Sequence, residues 1–375
     1  MKILQITPEA PSKLSGGGLG VYQTLLSLKG NNYFVTYVGP MIEDKDIEKL
    51  YDELYILDRT KNPIKRAVNL LNRISNSMYN YWKKLDLDFN KFDFIVMDFT
   101  KLDYVLSNIG SNKLIVKAHN VEYDYSKNDY LKDKTFKKYI VSKLSYKQEK
   151  NILYRANRII LLTLNDANRI VDIYGKENIY EKIEINPVSL EGKKNNFYKK
   201  RDDTFNLLIT GSLWYKENTN GVIWFIENIL TNLSFNVNLI VAGSRPTKSL
   251  ANKIKKYNNV NLVDTPRDME EYFINCDMVV APIFMGAGMK VKIAEAFSYG
   301  KPVIGTTHAF IGYEVENRVN SFVADSKEEF IAQLTYAYNL SNIEWEKLCL
   351  NVNTLFNNKY EIRNSVEQWK KIIEG

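Results

Sequence analysis

Short β-branched and apolar runs alternate with longer stretches of helical period along the whole chain, the pattern of parallel strands joined by crossover helices. In the first half the runs cover residues 2–7, 34–38, 94–97, 114–117 and 158–163. In the second half they cover 205–210, 237–242, 260–263, 278–281 and 302–305. The fold class this predicts is α/β, with two Rossmann-like, doubly wound parallel-sheet domains. Residues 184–201 lose apolar periodicity and carry the breakers Asn186-Pro187 and Gly192, so the boundary belongs there, with residues 1–185 in one domain and 186–357 in the other. The last helix, 361–374, spaces Ile362, Val366, Trp369 and Ile373 near the helical repeat and so buries one face. Open α/β sheets bind ligands beyond the carboxyl ends of their strands. Two such sheets facing each other would place the chemistry in a cleft.

Composition narrows the class. At 375 residues and 45% hydrophobic, the chain exceeds what one core organises, which agrees with two domains. Its longest apolar runs, such as 277–284, fall far short of the roughly 20 residues that span a bilayer. Residues 1–7 carry one lysine and a short apolar stretch before Pro8 and Glu9, without the apolar core and small-residue cleavage site of a signal peptide. Cys276 and Cys349 lack metal-ligand spacing and the two histidines lie far apart, so no metal site is expected and a reducing, cytoplasmic setting fits. The net charge of +7 is uneven, at +9 over residues 1–200 and −2 over 201–375. A positive first half suits an anionic lipid surface or a phosphate-bearing substrate. No dense basic run or nucleic-acid motif is present, so nucleic acid is not an expected partner.

The most informative segment runs from Pro282 to Pro302. Gly286 and Gly288 leave backbone amides uncovered just before a helix whose N-terminus carries positive partial charge, and Lys290 and Lys292 add two ammonium groups. A diphosphate suits that setting. Glu295, one turn beyond Lys292, can accept hydrogen bonds from the adjacent hydroxyls of a ribose. The alternative is a glycine-rich turn followed by an exposed lysine pair and a helical ion pair.

Followed by Val303-Ile-Gly-Thr-Thr307, the segment resembles the donor-binding motif of the family-4 retaining glycosyltransferases (glycosyl transferases group 1), which have the GT-B fold. Gly211-Ser-Leu-Trp-Tyr-Lys-Glu-Asn218 with Trp224-Phe225 resembles the opening of that family's donor domain, and Asn186-Pro-Val188 its Asn-Gly-Val linker. The resemblance assigns Gly211, Ser212, Lys216, Gly286, Gly288, Lys290, Lys292 and Glu295 to the nucleotide. It also implies that residues 358–375 pack back on the first domain. Two positions depart from the pattern. Ala287 stands where the family's first glutamate is usual, eight before Glu295, and Ser212 stands where an arginine is usual, with Lys216 an approximate substitute.

In the first half, Gly16, Gly17 and Gly18 follow the first strand too late for a dinucleotide fingerprint, which disfavours an oxidoreductase. They resemble the glycine-rich acceptor loop of GT-B transferases; a flexible surface loop is the alternative. His119, in Lys117-Ala-His-Asn-Val-Glu-Tyr123, follows a strand and resembles the His-Asn-Val-Glu segment of many family members. It is the candidate for positioning the sugar or the reacting hydroxyl, with Glu122 orienting the turn or lining the acceptor site. Basic and apolar residues alternate over 132–158, including Phe136, Tyr139, Ile140, Leu144 and Ile152. That stripe reads either as a helix with a solvated face or as a surface that docks on anionic lipid.

The resemblance implies transfer of a sugar from a nucleoside diphosphate sugar to a hydroxyl of a glycan or lipid-linked acceptor. It further implies retention of configuration, no cofactor or metal, and work at the cytoplasmic face on cell-envelope polysaccharide or glycoconjugate, with His119, Lys290 and Lys292 as the catalytic candidates. An epimerase of the same fold and a non-catalytic nucleotide-sugar-binding subunit are the rival readings.

Overall fold

The structure, a computed structural model, describes residues 1–13, 16–71, 78–193, 204–286 and 288–375. Residues 194–201 of the expected linker and the substituted position Ala287 lie outside the described residues. The chain divides into two compact units, Met1–Val188 with Ile362–Gly375 and Ser189–Glu361. The division thus falls three residues later than the sequence pattern placed it, and four later at the return.

In the first unit the strands are β1 (Lys2–Ile6), β2 (Phe34–Gly39), β3 (Glu53–Ile56), β4 (Phe94–Asp98), β5 (Leu114–Ala118), β6 (Arg158–Leu161) and β7 (Ile183–Ile185). They form one sheet in the order β3-β2-β1-β4-β5-β6-β7, each pair parallel. The second unit has β8 (Phe205–Ser212), β9 (Val237–Ser244), β10 (Val260–Asp264), β11 (Met278–Ala281), β12 (Val303–Gly305) and β13 (Phe322–Val323). Its sheet runs β10-β9-β8-β11-β12-β13, again parallel.

All ten apolar runs are strands. The three strands that the pattern omits, β3, β7 and β13, are sheet edges. An edge strand has one neighbour and is not buried on both faces, so it need not read as a continuous apolar run. β3 and β7 contain no fully buried residue, and β13 is two residues long.

Helices cover the sheets and close two separate cores. Leu4, Ile6, Ile95, Met97 and Val116 pack with Ile152 and Ile170 in the first unit. Phe205, Leu207, Val241, Val280 and Ile304 pack with Phe225, Phe330 and Trp345 in the second. The last helix, Ile362–Glu374, buries Ser365, Trp369, Ile372 and Ile373 and lies along the Gly16–Gly30 helix. Ser27 Oγ and Ser365 Oγ are 2.7 Å apart, Asn31 donates to the Val366 carbonyl at 2.8 Å, and the Tyr33 hydroxyl donates to Glu374 at 2.7 Å. Both helices belong to the first unit, so the chain re-enters that unit after completing the second.

Candidate functional site

In each sheet the strand order reverses between the first and fourth strands of its unit, β1 and β4 or β8 and β11, and the carboxyl ends beside such a reversal are where open α/β sheets place ligands. Most of the residues singled out in the sequence gather at these two points.

In the second unit β8 ends at Gly211 and Ser212, with Gly211 at φ +142°. A Cβ on Gly211 would stand 2.7 Å from Lys292 Nζ, so only glycine lets that amine lie against the strand end. Lys292 comes from the second position of the Val291–Ser298 helix and donates to Asn218 Oδ1 at 3.2 Å; Asn218 in turn donates to the Ser212 carbonyl at 3.0 Å. Burial pushes the Lys292 amine down to about 8 against the pull of Glu295, with Lys290 pushing the same way as burial. Burial likewise raises Glu295, and Lys292 opposes it.

The glycine turn beside it is tied through its carbonyls. Gly286 (φ +119°) and Gly288 (φ +66°) accept from Lys290 Nζ at 3.2 and 2.7 Å, and His308 Nε2 lies 2.8 Å from the Gly286 carbonyl. The Tyr313 hydroxyl donates to the Lys290 carbonyl at 2.9 Å. In neither the Val291–Ser298 helix nor the Lys216–Asn228 helix does the side chain of the N-cap residue, Lys290 or Tyr215, cap the first turn. Their leading N–H groups therefore add to the anion-attracting character of this sheet end. Lys216 is exposed at the start of its helix, apart from the Lys292–Asn218–Ser212 chain. Arg245, directly after β9 at φ +51°, stacks its guanidinium 4.9 Å from the half-exposed Trp214 ring.

In the first unit His119 follows β5 and Asp98 ends β4, and His119 Nε2 lies 2.9 Å from Asp98 Oδ1. Asp98 is wholly buried and also accepts from Gln5 at 2.7 Å and Thr24 at 3.0 Å. Burial lowers the His119 pKa against the opposing pull of Asp98, which favours the neutral imidazole. Its ring lies over the Gly16–Gly30 helix, where a Cβ on Gly20 would stand 2.3 Å from Nδ1. A Cβ on Gly17 would similarly meet Glu9 Oε2. Phe99, at φ +69°, stacks on His119 with ring centroids 4.4 Å apart. A bulky residue in the left-handed region is strained, and such strain gathers at functional sites.

Glu122 starts the Glu122–Lys132 helix and is buried, paired with Lys101 at 3.1 Å. Burial pushes it up to about 7, Lys101 opposes, and Glu149 adds to the rise. Glu149 accepts from the Glu122 and Tyr123 amides, both at 3.0 Å, and so caps this helix from the neighbouring Phe136–Arg155 helix. Gln5, Gly20, Thr24, Asp98, Arg245 and His308 are not assigned to the site by the sequence, and Asn218 enters only as the last residue of the Gly211–Asn218 motif. The one local signal among them was Asp98, a carboxylate closing the apolar run Phe94-Ile-Val-Met97.

Comparison with known proteins agrees with this geometry. Residues 204–339 match the family model described as Glycosyl transferases group 1. The amylovoran biosynthesis glycosyltransferase AmsD of Erwinia amylovora is 25% identical over 208 residues, 51% of this chain, and that match spans only 57% of the relative's own length. An uncharacterised 44.6 kDa protein in the cps region of Klebsiella pneumoniae is 22% identical over 373 residues, covering 92% of each chain. Among solved structures, Anabaena HepE in complex with UDP aligns with a TM-score of 0.70 at 15% identity over 100% of both chains. WaaG, a glycosyltransferase involved in lipopolysaccharide biosynthesis, aligns at 0.72 and 15% identity over 99% of this chain and 100% of its own. The chain thus has the GT-B fold of these glycosyltransferases and resembles the group 1 glycosyl transferases, whose model its residues 204–339 match.

Proposed function

We propose that this protein transfers a sugar from a nucleoside diphosphate sugar to an acceptor hydroxyl in the synthesis of a cell-surface polysaccharide or glycoconjugate. The observation that carries the reading is the placement of the Lys292 amine against Gly211, at the strand reversal between β8 and β11, with the Gly286–Gly288 turn and Glu295 beside it. The two helix ends and Lys292 hold the diphosphate, Lys290 shapes the turn, and Glu295 takes the ribose hydroxyls. UDP, which HepE binds in its solved structure, is the first nucleotide to try. Arg245 supplies a cation next to the loop where Ser212 replaces the family's usual arginine.

In the reaction the bond between the anomeric carbon and the diphosphate oxygen breaks, and the diphosphate leaves with the electron pair. Lys292 and the helix amides stabilise the charge that grows on it, which favours the transition state over the ground state. The acceptor oxygen bonds to the anomeric carbon and its proton passes to the departing phosphate on the same face, so configuration is retained. His119 in the first unit positions the hydroxyl. The acceptor is a glycan or a lipid-linked glycan. The helical pair Glu122–Lys132 and Phe136–Arg155 exposes Leu131 and Phe136 among Lys127, Lys132, Lys134 and Lys137, which suits contact with an anionic membrane surface.

A thermal-shift screen of nucleoside diphosphates, followed by nucleotide release from the matching sugar nucleotides with and without membrane extract, tests the reading. Failure of every nucleotide to bind would overturn it. Ala287 favours a second reading, a subunit that binds nucleotide sugar without transferring it; binding without release in the presence of extract is its signature.

A further inference from the structure

We propose that Asp98 is a positioning residue that fixes His119 as the Nε2-protonated tautomer and leaves Nδ1 as a hydrogen-bond acceptor for a substrate hydroxyl. The inference rests on the reading above only in taking the group that meets His119 to be a reacting hydroxyl.

The proton positions follow from neighbours whose roles are not in doubt. The Gln5 amide nitrogen lies 3.1 Å from the Val21 carbonyl, which can only accept, so Gln5 Nε2 faces both that carbonyl and, at 2.7 Å, Asp98 Oδ2. The Tyr51 hydroxyl then donates to Gln5 Oε1 at 2.8 Å, which locks the amide the same way from its other end. Thr24 lies between two acceptors, the Gly20 carbonyl at 3.1 Å and Asp98 Oδ1 at 3.0 Å, and its hydroxyl has a proton to give to either. Every partner around Asp98 is therefore built to donate. Across the β4–β5 ladder Asp98 pairs in register with Lys117, a wholly buried amine whose nitrogen has no hydrogen-bond partner among the described residues. Burial pushes that amine down to about 8, and Asp98 opposes the shift. Ringed by donors, the carboxylate accepts, and the remaining contact, to His119 Nε2 at 2.9 Å, has the imidazole as donor.

With the proton on Nε2 and the ring neutral, the lone pair sits on Nδ1. That nitrogen lies over Gly20, and His119 makes no other hydrogen bond among the described residues. An sp² nitrogen in that state receives a hydroxyl proton and has nothing to give an oxyanion. Asp98 itself reaches the substrate only through His119, in the way that a carboxylate fixes the tautomer of a catalytic histidine elsewhere.

The test uses the full chain with ¹⁵N-labelled histidine and long-range ¹H–¹⁵N correlation spectra. Two histidines are present, and His308→Gln assigns them. The expected spectrum of the wild type at neutral pH shows His119 with Nε2 protonated. In Asp98→Asn that tautomer is lost, kcat falls about a hundredfold, the loss expected of a misaligned reacting group, and KM for the donor stays the same. In Thr24→Val, which removes a different donor to the same carboxylate, the tautomer is retained. A wild-type His119 that is Nδ1-protonated or doubly protonated overturns the proposal, and so does an Asp98→Asn variant that keeps the wild-type tautomer or the wild-type kcat. UDP binding checks that Asp98→Asn is folded; if it is not, the wild-type spectrum still decides the tautomer. Absence of transfer by the wild type sinks the functional reading, whereas the spectra judge the tautomer by themselves.

Discussion

The two units share one topology and put opposite charges at the same place. In the first, the strand next to β1 at the reversal ends in Asp98, a buried carboxylate surrounded by donors. In the second, the strand next to β8 ends in Ala281, and Pro282 follows; no side chain from that strand end carries charge, and Lys292 supplies a cation from the following helix. Apart from the Lys117 amine, the first arrangement spends its polar groups on one another and holds a neutral histidine in a fixed state. The second leaves a cation with one amide hydrogen-bond partner among the described residues, beside two helix ends whose N-cap side chains make no cap bond, with Glu295 as the nearby carboxylate. A doubly wound sheet therefore sets where a site lies, and the residues at two strand ends decide which sign of ligand it takes.

The sharpest way to break this contrast is to remove the cation. Lys292→Ala should weaken nucleoside diphosphate binding by about two orders of magnitude, the equivalent of one or two hydrogen bonds to a charged group, while His119 keeps its environment; calorimetric titration with UDP measures it. The same amine predicts a pH dependence. With its pKa at about 8 in the free protein, it is increasingly neutral above that pH, so binding must take up a proton and affinity should fall as pH rises through 8. In Lys292→Ala that slope should vanish. Stability should run the other way. Between about 8 and the ordinary lysine range the unfolded chain binds the proton that the folded chain releases, so unfolding becomes harder as pH rises across that window. A UDP affinity that is flat with pH in the wild type would show that Lys292 does not meet the phosphate.

The contrast can also be attacked from the first unit. Gly20→Ala places a methyl 2.3 Å from His119 Nδ1 and must displace the ring. A shift of about 1 Å in a reacting group costs roughly a hundredfold in rate, so turnover should fall by that order while UDP affinity holds. A smaller effect separates the two ends of the donor. Glu295→Ala should reduce affinity for UDP roughly tenfold, about the loss of one hydrogen bond to a charged group, and leave inorganic diphosphate binding unchanged. Equal losses for both ligands would move Glu295 from ribose to fold.

How much of this was legible in the sequence follows from what each feature depends on. Interior strands were legible because burial on both faces writes a continuous apolar run, as in Phe94-Ile-Val-Met97. The edge strand Glu53-Leu-Tyr-Ile56 was not, since only one neighbour and a partly wet face shape it. The glycine and lysine segment was legible because its parts lie within ten residues of one another. Asp98 was not linked to His119, nor Asn218 to Lys292, because those pairs are 21 and 74 residues apart and are made by strand order and register alone. Glu122 shows the converse: the motif pointed to it as an acceptor-side residue, and the structure buries it against Lys101 and Glu149, partners that no local spacing reveals.

That burial gives the smallest and most local prediction. Glu122 is pushed up to about 7, so between the ordinary glutamate range and pH 7 the folded state holds a proton that the unfolded state has lost. Stability must then fall as pH rises through that window. Glu122→Gln has no proton to lose. It should melt a few degrees above the wild type at pH 8 and lose that advantage by pH 5, the scale expected when about 1 kcal/mol changes in a chain of this size. Thermal melts at the two pH values, with UDP affinity as a control on the second unit, measure it. If Glu122→Gln is less stable than the wild type at pH 8, the ion pair with Lys101 outweighs the cost of burying the carboxylate, and the acidic cluster of the first unit is a stabilising element in its charged form.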